Sequence, residues 1–122
     1  MVDQKPYVPK RGDVVWISLN PQADHEQSGR RPAVILSPQP YNDKVGLAPL
    51  CPITNQVKGY PFEVVIPSDR SLTGAILADQ VKSLDWRTRN AGFICALPVK
   101  TISEVLQKKR PLAISITNND RQ

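Results

Sequence analysis

The sequence predicts a mainly β domain, in which about six short strands form a small antiparallel, partly closed barrel with a C-terminal α-helix. Twelve prolines are spread along the chain and separate many short elements, which disfavours long helices. Short apolar runs alternate with turns rich in Gly, Pro, Asn and Asp, a pattern typical of strands. The length of 122 residues favours one domain over residues 1–122.

The predicted strands cover, in order, residues 14–19, 32–37, 46–53, 62–66, 75–84 and 92–97. A long polar loop over 20–31 separates the first two strands, and residues 41–44 are predicted as a turn. Because Pro49 and Pro52 have no N–H to donate, we expect the third strand to lie at an edge or to contain a bulge.

The strongest helix signal lies near the C-terminus. The segment Thr101-Ile102-Ser103-Glu104 fits a capping box, and Val105 and Leu106 continue an apolar stripe. Pro111 is expected to end this helix.

Four residues carry expectations about burial. Trp16 belongs to an alternating strand and is expected in the core, whereas Trp86 lies between two charged residues and is expected to be partly exposed. Cys51 and Cys95 lie in apolar segments without a CxxC motif, so we expect two reduced core thiols and no zinc site.

Composition limits the classes of function. A net charge of +5 and a pI of about 9.5 indicate a polyanionic partner, either nucleic acid or an acidic protein. We find no apolar leader and no segment of membrane-spanning length, so we expect a cytoplasmic protein without a membrane partner.

Several hydrolytic mechanisms lack the residues that they need. Cleavage of RNA by a histidine pair needs two imidazoles, and the chain has only His25. The acidic residues include no DxD pair to converge on Mg²⁺, so neither a metal nor another cofactor is expected. No nucleophile elbow is present for a serine or cysteine hydrolase.

Two polar loops carry the remaining candidates. The segment 24–32 holds carboxylates and two guanidiniums before an apolar strand, and these groups suit phosphoryl chemistry without a metal. The segment 54–61 offers a hydroxyl, two amides, a cation and an aromatic ring, which suit single-stranded RNA. Taken alone, each segment is also consistent with a solvated hairpin loop.

Five motifs in order resemble the MazF/PemK family of toxin endoribonucleases. They are Arg-Gly-Asp-Val-Val-Trp (11–16), Glu-Gln-Ser-Gly-Arg-Arg-Pro-Ala-Val-Ile-Leu-Ser (26–37), Pro-Ile-Thr (52–54), Lys-Gly-Tyr-Pro-Phe-Glu-Val (58–64) and Ala-Asp-Gln-Val-Lys-Ser-Leu-Asp-Trp (78–86). The resemblance covers residues 7–90 and weakens over the last third of the chain.

The resemblance implies an SH3-like, PemK/CcdB-like barrel that forms a homodimer. It implies sequence-specific, metal-independent cleavage of single-stranded mRNA, with attack by the 2′-hydroxyl and formation of 2′,3′-cyclic phosphate and 5′-hydroxyl ends. It also implies that an acidic antitoxin protein neutralises the toxin.

Carried over residue by residue, the resemblance makes Arg31, Thr54 and Glu26 catalytic. Arg31 would hold phosphate oxygens, Glu26 would accept the 2′-hydroxyl proton, and Thr54 would donate one hydrogen bond. The expected substrate-binding residues are Arg30, Gln27, Asn55, Gln56, Lys58, Asp79 and Gln80. Some relatives have a further arginine two residues before the Asp-Gln pair, where this chain has Leu77.

Two other functions stay open at this point. The same barrel serves in related toxins that inhibit a protein target such as DNA gyrase without catalysis, and an RNA-binding domain without activity is a third possibility. The combined presence of Glu26, Arg31 and Thr54 favours the enzyme, because a binding protein has no need of all three.

Overall fold

The computed structural model of the chain describes residues 6–19, 29–67 and 71–108. Within these residues the strands are β1 (Asp13–Ser18), β2 (Arg30–Ile35), β3 (Leu47–Thr54), β4 (Glu63–Val65), β5 (Ala75–Leu77), β6 (Lys82–Asp85) and β7 (Gly92–Ala96). Helix α1 covers Gln39–Val45, and the described part of a second helix, α2, covers residues 99–108. No helix in these ranges is long and apolar enough to span a membrane.

The strands form one antiparallel sheet, as the sequence predicts. Their order is β4-β5-β3-β2-β1-β7, and β6 pairs with β3 beside this path. Among the described residues no ladder joins β7 to β4, so the sheet is not closed and the word barrel is only approximate. The fold is therefore mainly β with a helix after the last strand.

The central strands are buried on both faces. Alternate residues of β1 enter two apolar clusters, with Val14 in the first and Val15 and Ile17 in the second. Helix α2 covers the first cluster with Ile102 and Val105. Burial on both faces explains why β1 and β2 contain continuous apolar runs in place of an alternating pattern.

The segment predicted as a turn over 41–44 is part of α1, and that prediction is wrong. The helix begins after Pro38 with proline in its first turn, where the missing N–H costs nothing. It ends at Gly46, whose φ of 82° is the left-handed conformation that glycine adopts readily. Both signals are present in the sequence, but the helix has only seven residues.

A polar cluster lies beneath α1 and is centred on the fully buried Asn42. The Asn42 side-chain amide donates to the carbonyls of Pro9 (2.8 Å) and Ser37 (3.0 Å) and accepts from the Ser37 hydroxyl. The Asn42 carbonyl accepts from the Trp86 indole N–H (3.0 Å). Each polar group of Asn42 therefore has a partner, so its burial carries no desolvation penalty.

Strand β3 is not an edge strand, so the first of the two alternatives predicted from its prolines, an edge or a bulge, is wrong. It pairs with β2 on one side and with β6 and then β5 on the other. The partner changes from β6 to β5 between Leu50 and Ile53, so Pro52 lies where that ladder is interrupted. Pro49 contributes its carbonyl, which accepts from the Leu36 N–H (2.9 Å).

Two other element boundaries differ from the prediction. The single strand expected over 75–84 is divided into β5 and β6 by a turn at 78–79. Helix α2 begins at residue 99, so Thr101 lies within its first turn, and the Thr101 N–H donates to the Pro98 carbonyl (3.0 Å). The predicted capping box is therefore wrong. The expected end near Pro111 lies outside the described residues.

Both tryptophan predictions are wrong. Trp16 is 42% exposed, on the opposite face of β1 from the buried Val15 and Ile17, and it lines an open groove. Trp86 is only 4% exposed, because the chain turns inward after β6 and the Arg87 guanidinium lies 4.3 Å above its ring. The two cysteines are thiols in or against the first apolar cluster, as the sequence predicts.

Candidate active site

An open groove of about 750 Å³ lies where β2 begins and β3 ends. Its polar lining comes from the start of β2, the end of β3 and the loop after it, the segment before β5 and the segment that leads into β6: Arg30, Arg31, Thr54, Asn55, Gln56, Ser71, Thr73, Gln80 and Lys82. None of the described lining residues is acidic. The groove therefore presents positive charge and hydrogen-bond donors to a ligand, a combination that suits phosphate groups.

The sheet register brings Arg31 and Thr54 to this groove together. Strands β2 and β3 are antiparallel, with Ala33 opposite Pro52. The ladder ends at this pair, and Arg31 and Thr54 each lie two residues beyond it, a step that keeps each residue on the same face as Ala33 or Pro52. Both residues line the groove, as the sequence predicts, although they are far apart along the chain.

The Arg31 guanidinium is free to bind a ligand. Arg31 is exposed, and within the described residues its side chain makes neither a hydrogen bond nor an ion pair. Its main chain is held in β2, where Arg31 pairs with the fully buried Ile17 of β1. A guanidinium on a rigid strand can direct two parallel N–H groups at phosphate oxygens.

Arg30 has a different role from its neighbour. Its guanidinium donates to the main-chain carbonyls of Trp16 (2.9 Å), Arg89 (3.2 Å) and Asn90 (2.9 Å). These bonds tie the start of β2 to β1 and to the turn before β7. Both arginines were expected in the loop over 20–31, but they belong to β2, which begins two residues earlier than predicted. Phosphate binding by Arg30 stays a prediction.

Thr54 is the last residue of β3 and is held on two sides. Its hydroxyl oxygen accepts from the Gln56 N–H (3.1 Å), which leaves the hydroxyl hydrogen available to a ligand. On the other side Thr54 pairs with Ala75 of β5. This approach depends on Gly74, because a Cβ there would overlap the Thr54 carbonyl oxygen, and its φ of 132° disfavours other residues.

A recess of about 200 Å³ continues the groove along the loop after β3. The groove and the recess share Thr54, Gln56, Leu77 and Gln80, so they form one continuous surface. Of the predicted substrate-binding residues, Asn55 lines the groove, Lys58 lines the recess, and Gln56 and Gln80 line both. Asp79 is exposed in the turn at 78–79 and lines neither.

Glu26 and Gln27 lie outside the described residues, so their predicted roles stay predictions. His25 lies in the same range. The described ends of that loop are close together, because the Leu19 N–H donates to the Gly29 carbonyl (3.1 Å). Leu19 and Gly29 therefore lie together beside the start of β2.

The groove residues that sequence reasoning missed include Ser71, Thr73, Lys82 and Trp16. The alternation Gln80-Val81-Lys82 was the available signal for Lys82, because residues two apart share a face of an extended segment. Trp16 gave the opposite signal, since an indole within an apolar strand indicates a core position. Leu77, where some relatives have arginine, contributes an apolar contact to the groove wall.

The described residues with shifted pKa values lie away from this groove. Burial, assisted by a hydrogen bond to Asp13 (2.6 Å), raises the pKa of the Tyr7 phenol. Hydrogen bonds from the backbone of the 86–90 turn, chiefly from Thr88, lower the pKa of the Asp85 carboxyl. Both shifts belong to structural contacts.

Comparison with known proteins gives consistent results. Residues 10–113 match the family described as PemK-like, MazF-like toxin of type II toxin-antitoxin system. The endoribonuclease toxin MazF of Escherichia coli (strain K12) is 53% identical over 85 residues, which cover 70% of this chain and 76% of that protein.

Solved structures show the same fold. A crystal structure of MazF from Deinococcus radiodurans superimposes with a TM-score of 0.81 at 47% identity, covering 88% of this chain and 98% of that one. MazF in a MazE-MazF complex from the same organism gives a TM-score of 0.79 at 42% identity, covering 88% and 97% of the two chains.

Proposed function

Because the chain belongs to the PemK-like, MazF-like toxins of type II toxin–antitoxin systems, we propose that it is a sequence-specific endoribonuclease that cleaves single-stranded mRNA. One observation carries the proposal. The Arg31 guanidinium, without a partner in the described part of the chain, shares an open groove with the Thr54 hydroxyl, and no acidic side chain lines the described walls.

The reaction that this arrangement suits is an internal transfer of the phosphate. The 2′-oxygen of the RNA attacks the adjacent phosphorus, a P–O2′ bond forms and the P–O5′ bond breaks. The 2′-hydroxyl loses one proton and the departing 5′-oxygen gains one, so the products are a 2′,3′-cyclic phosphate and a 5′-hydroxyl. Since the nucleophile belongs to the substrate, the enzyme contributes alignment and charge stabilisation.

Arg31 supplies the charge stabilisation. Its two N–H groups bind the non-bridging phosphate oxygens, on which negative charge increases in the transition state. A guanidinium has five N–H donors in a planar fork and no acceptor, so Arg31 acts on the phosphate as an electrostatic and hydrogen-bonding group.

Thr54 and Glu26 complete the proposed catalytic set. Thr54 donates its hydroxyl hydrogen to the phosphate or to the 2′-hydroxyl, because the Gln56 N–H already occupies one acceptor site of its oxygen. Glu26 accepts the 2′-hydroxyl proton, and general-base assistance of this kind contributes about 10²–10⁴-fold.

The remaining groove residues bind the RNA on either side of the cleaved bond. Amides at Asn55, Gln56 and Gln80 offer donors and acceptors to base edges, and Lys58 and Lys82 offer charge to phosphates. Binding that relies on such charges weakens with salt, with a log–log slope of about −0.7 per phosphate contacted.

We also propose an acidic antitoxin as the protein partner, a homodimer as the assembly and the cytoplasm as the location. The solved MazE-MazF complexes of the related toxin support the first of these. A groove whose described lining residues include Arg30, Arg31 and Lys82 but no acidic residue fits an acidic peptide as well as RNA, so the antitoxin inhibits by binding the same positive charges.

The test is to incubate the purified protein with an unstructured RNA in the presence of EDTA and to identify the fragment ends. Cleavage at a short recurrent sequence, with cyclic phosphate and 5′-hydroxyl ends, is the expected result. Intact RNA that is tightly bound would indicate an RNA-binding domain, and RNA that is neither bound nor cut would indicate a toxin with a protein target.

A further inference from the structure

Glu63 is a buried carboxylate that the mechanism does not use. It is the first residue of β4, is 7% exposed, and precedes the fully packed Val64. Its carboxylate accepts from two main-chain N–H groups of the preceding loop, those of Lys58 (3.1 Å) and Gly59 (2.9 Å). Within the described residues no cation pairs with it.

Packing alone does not account for a carboxylate at this position. A buried charge is costly unless it is hydrogen-bonded, and an apolar side chain would fill the space without that cost. What Glu63 adds is a pair of charge-assisted bonds to the backbone of the loop over residues 55–61. This loop carries Gln56 and Lys58 along the groove and the recess.

The loop over 55–61 makes few other bonds to the rest of the molecule. The Gln56 N–H donates to the Thr54 hydroxyl at its beginning. Near its end the Glu63 N–H donates to the Tyr60 carbonyl (3.0 Å), and Lys108 Nζ of α2 donates to the Pro61 carbonyl (2.7 Å). Between them Gly59 adopts a φ of 81°, which turns the chain so that both N–H groups face the carboxylate.

We propose that Glu63 is a positioning residue for substrate recognition, which fixes the 55–61 loop so that Gln56 and Lys58 meet the RNA. The inference rests on the proposed function. Because Arg31 and Thr54 are held by the sheet, loosening the loop weakens RNA binding and sequence selectivity and leaves the chemical step nearly intact.

Two substitutions test the proposal. Both loop N–H groups donate to the same carboxylate oxygen, Oε1. Glu63→Gln keeps the size of the side chain but removes its charge, so both groups exchange a charge-assisted bond for a weaker, neutral one. Gly59→Ala leaves the core untouched, because a Cβ there meets nothing within 4 Å, and acts only by disfavouring the positive φ. For both variants we expect KM to rise about five- to tenfold, with kcat within about twofold, and cleavage at additional sequences.

Glu104→Gln is the matched control, because it removes the same charge from an exposed position on α2. It should leave KM and the cleavage sites unchanged. A Glu63→Gln variant that folds, and that cleaves the same sites with wild-type KM, would overturn the proposal.

A measurement without activity separates this proposal from the proposed function. In wild-type protein the Lys58 and Gly59 amide hydrogens should exchange slowly with solvent, and in Glu63→Gln at least tenfold faster, as followed by NMR. If the wild type neither binds nor cleaves RNA, the proposed function is wrong. The exchange rates still show in that case whether Glu63 holds the 55–61 loop. Equal exchange in the two proteins would show that Glu63 does not hold the loop.

Discussion

The groove and the polar cluster beneath α1 contain similar chemical groups but use them differently. In the cluster, the Asn42 side chain and carbonyl are fully bonded within the protein, and Asn42 is completely buried. In the groove, the Arg31 guanidinium has no partner among the described residues, and the Thr54 hydroxyl keeps its hydrogen available. Polar groups whose bonds are complete stabilise the fold, whereas those left incomplete on a rigid sheet are free to bind a ligand.

The same contrast separates two neighbouring residues. The Arg30 guanidinium donates to three main-chain carbonyls, while the Arg31 guanidinium donates to none within the described residues. A substitution at each position therefore tests the distinction between structural and functional polar groups within one strand.

The largest expected effect is that of Arg31→Ala. Removing an electrostatic group that stabilises the transition state costs about 10²–10³-fold in kcat, and the loss should come without a change in Tm. Arg30→Ala should show the reverse pattern, with about 1–3 kcal/mol less stability because three carbonyls lose their donor. Single-turnover cleavage and thermal unfolding of both variants measure this, and equal losses of activity would contradict the assignment.

In the polar cluster we expect Asn42→Leu to lower the free energy of unfolding by about 3 kcal/mol. The substitution leaves the Pro9 and Ser37 carbonyls without donors, and each such buried group costs about 1–3 kcal/mol. Urea unfolding measures the change. The matched substitution Asn55→Leu in the groove should change stability by no more than about 0.5 kcal/mol, and a loss as large as that of Asn42→Leu would break the comparison.

Thr54→Val should reduce kcat/KM about 10- to 30-fold, which corresponds to one lost hydrogen bond to a charged group. The shape of the side chain is kept, so the sheet pairing with Ala75 should persist. Thr54→Ser restores the hydroxyl and should recover most of the activity. Steady-state cleavage assays decide the point, and a Ser variant as impaired as the Val variant would argue against a role for the hydroxyl.

The smallest effect concerns Tyr7, which lies away from the groove. Burial and the bond to Asp13 raise the pKa of its phenol in the folded state, so the stabilisation is complete below the ordinary value of about 10 and is lost as pH rises above it. The free energy of unfolding should therefore fall with pH, but by well under 1.4 kcal/mol per pH unit, which is about the value for the full release of one proton. The effect is smaller because Tyr7 is only half-buried. Unfolding of wild type and Tyr7→Phe between pH 9 and 11, with a steeper decline in wild type, checks this.

Much of the fold was predictable from the sequence because it depends on local patterns. The apolar runs of β1, β2 and β4 and the turns around them are found close to their predicted positions. The misplacements occurred where tertiary contacts override local signals. Trp86 is buried because α1 and Arg87 cover it, and neither contact is visible in the charges beside it.

The site was predictable in part, and by resemblance more than by pattern. The order of the motifs indicated Arg31 and Thr54, but only the pairing of β2 with β3 explains why both residues line the same groove. The different roles of Arg30 and Arg31 were not predictable, because the carbonyls that engage Arg30 belong to a turn far along the chain. The role of Glu63 likewise depends on the path of the 55–61 loop.

The central claim is that Arg31 and Thr54 act on the same phosphate group. A double-mutant cycle with Arg31→Lys and Thr54→Val, measured as kcat/KM for one RNA, tests it most directly. Two side chains that share a phosphate should be coupled by at least about 1 kcal/mol, so the double variant should lose at least about fivefold less than the product of the two single losses. A double variant whose loss of kcat/KM equals the product of the two single losses would contradict the claim.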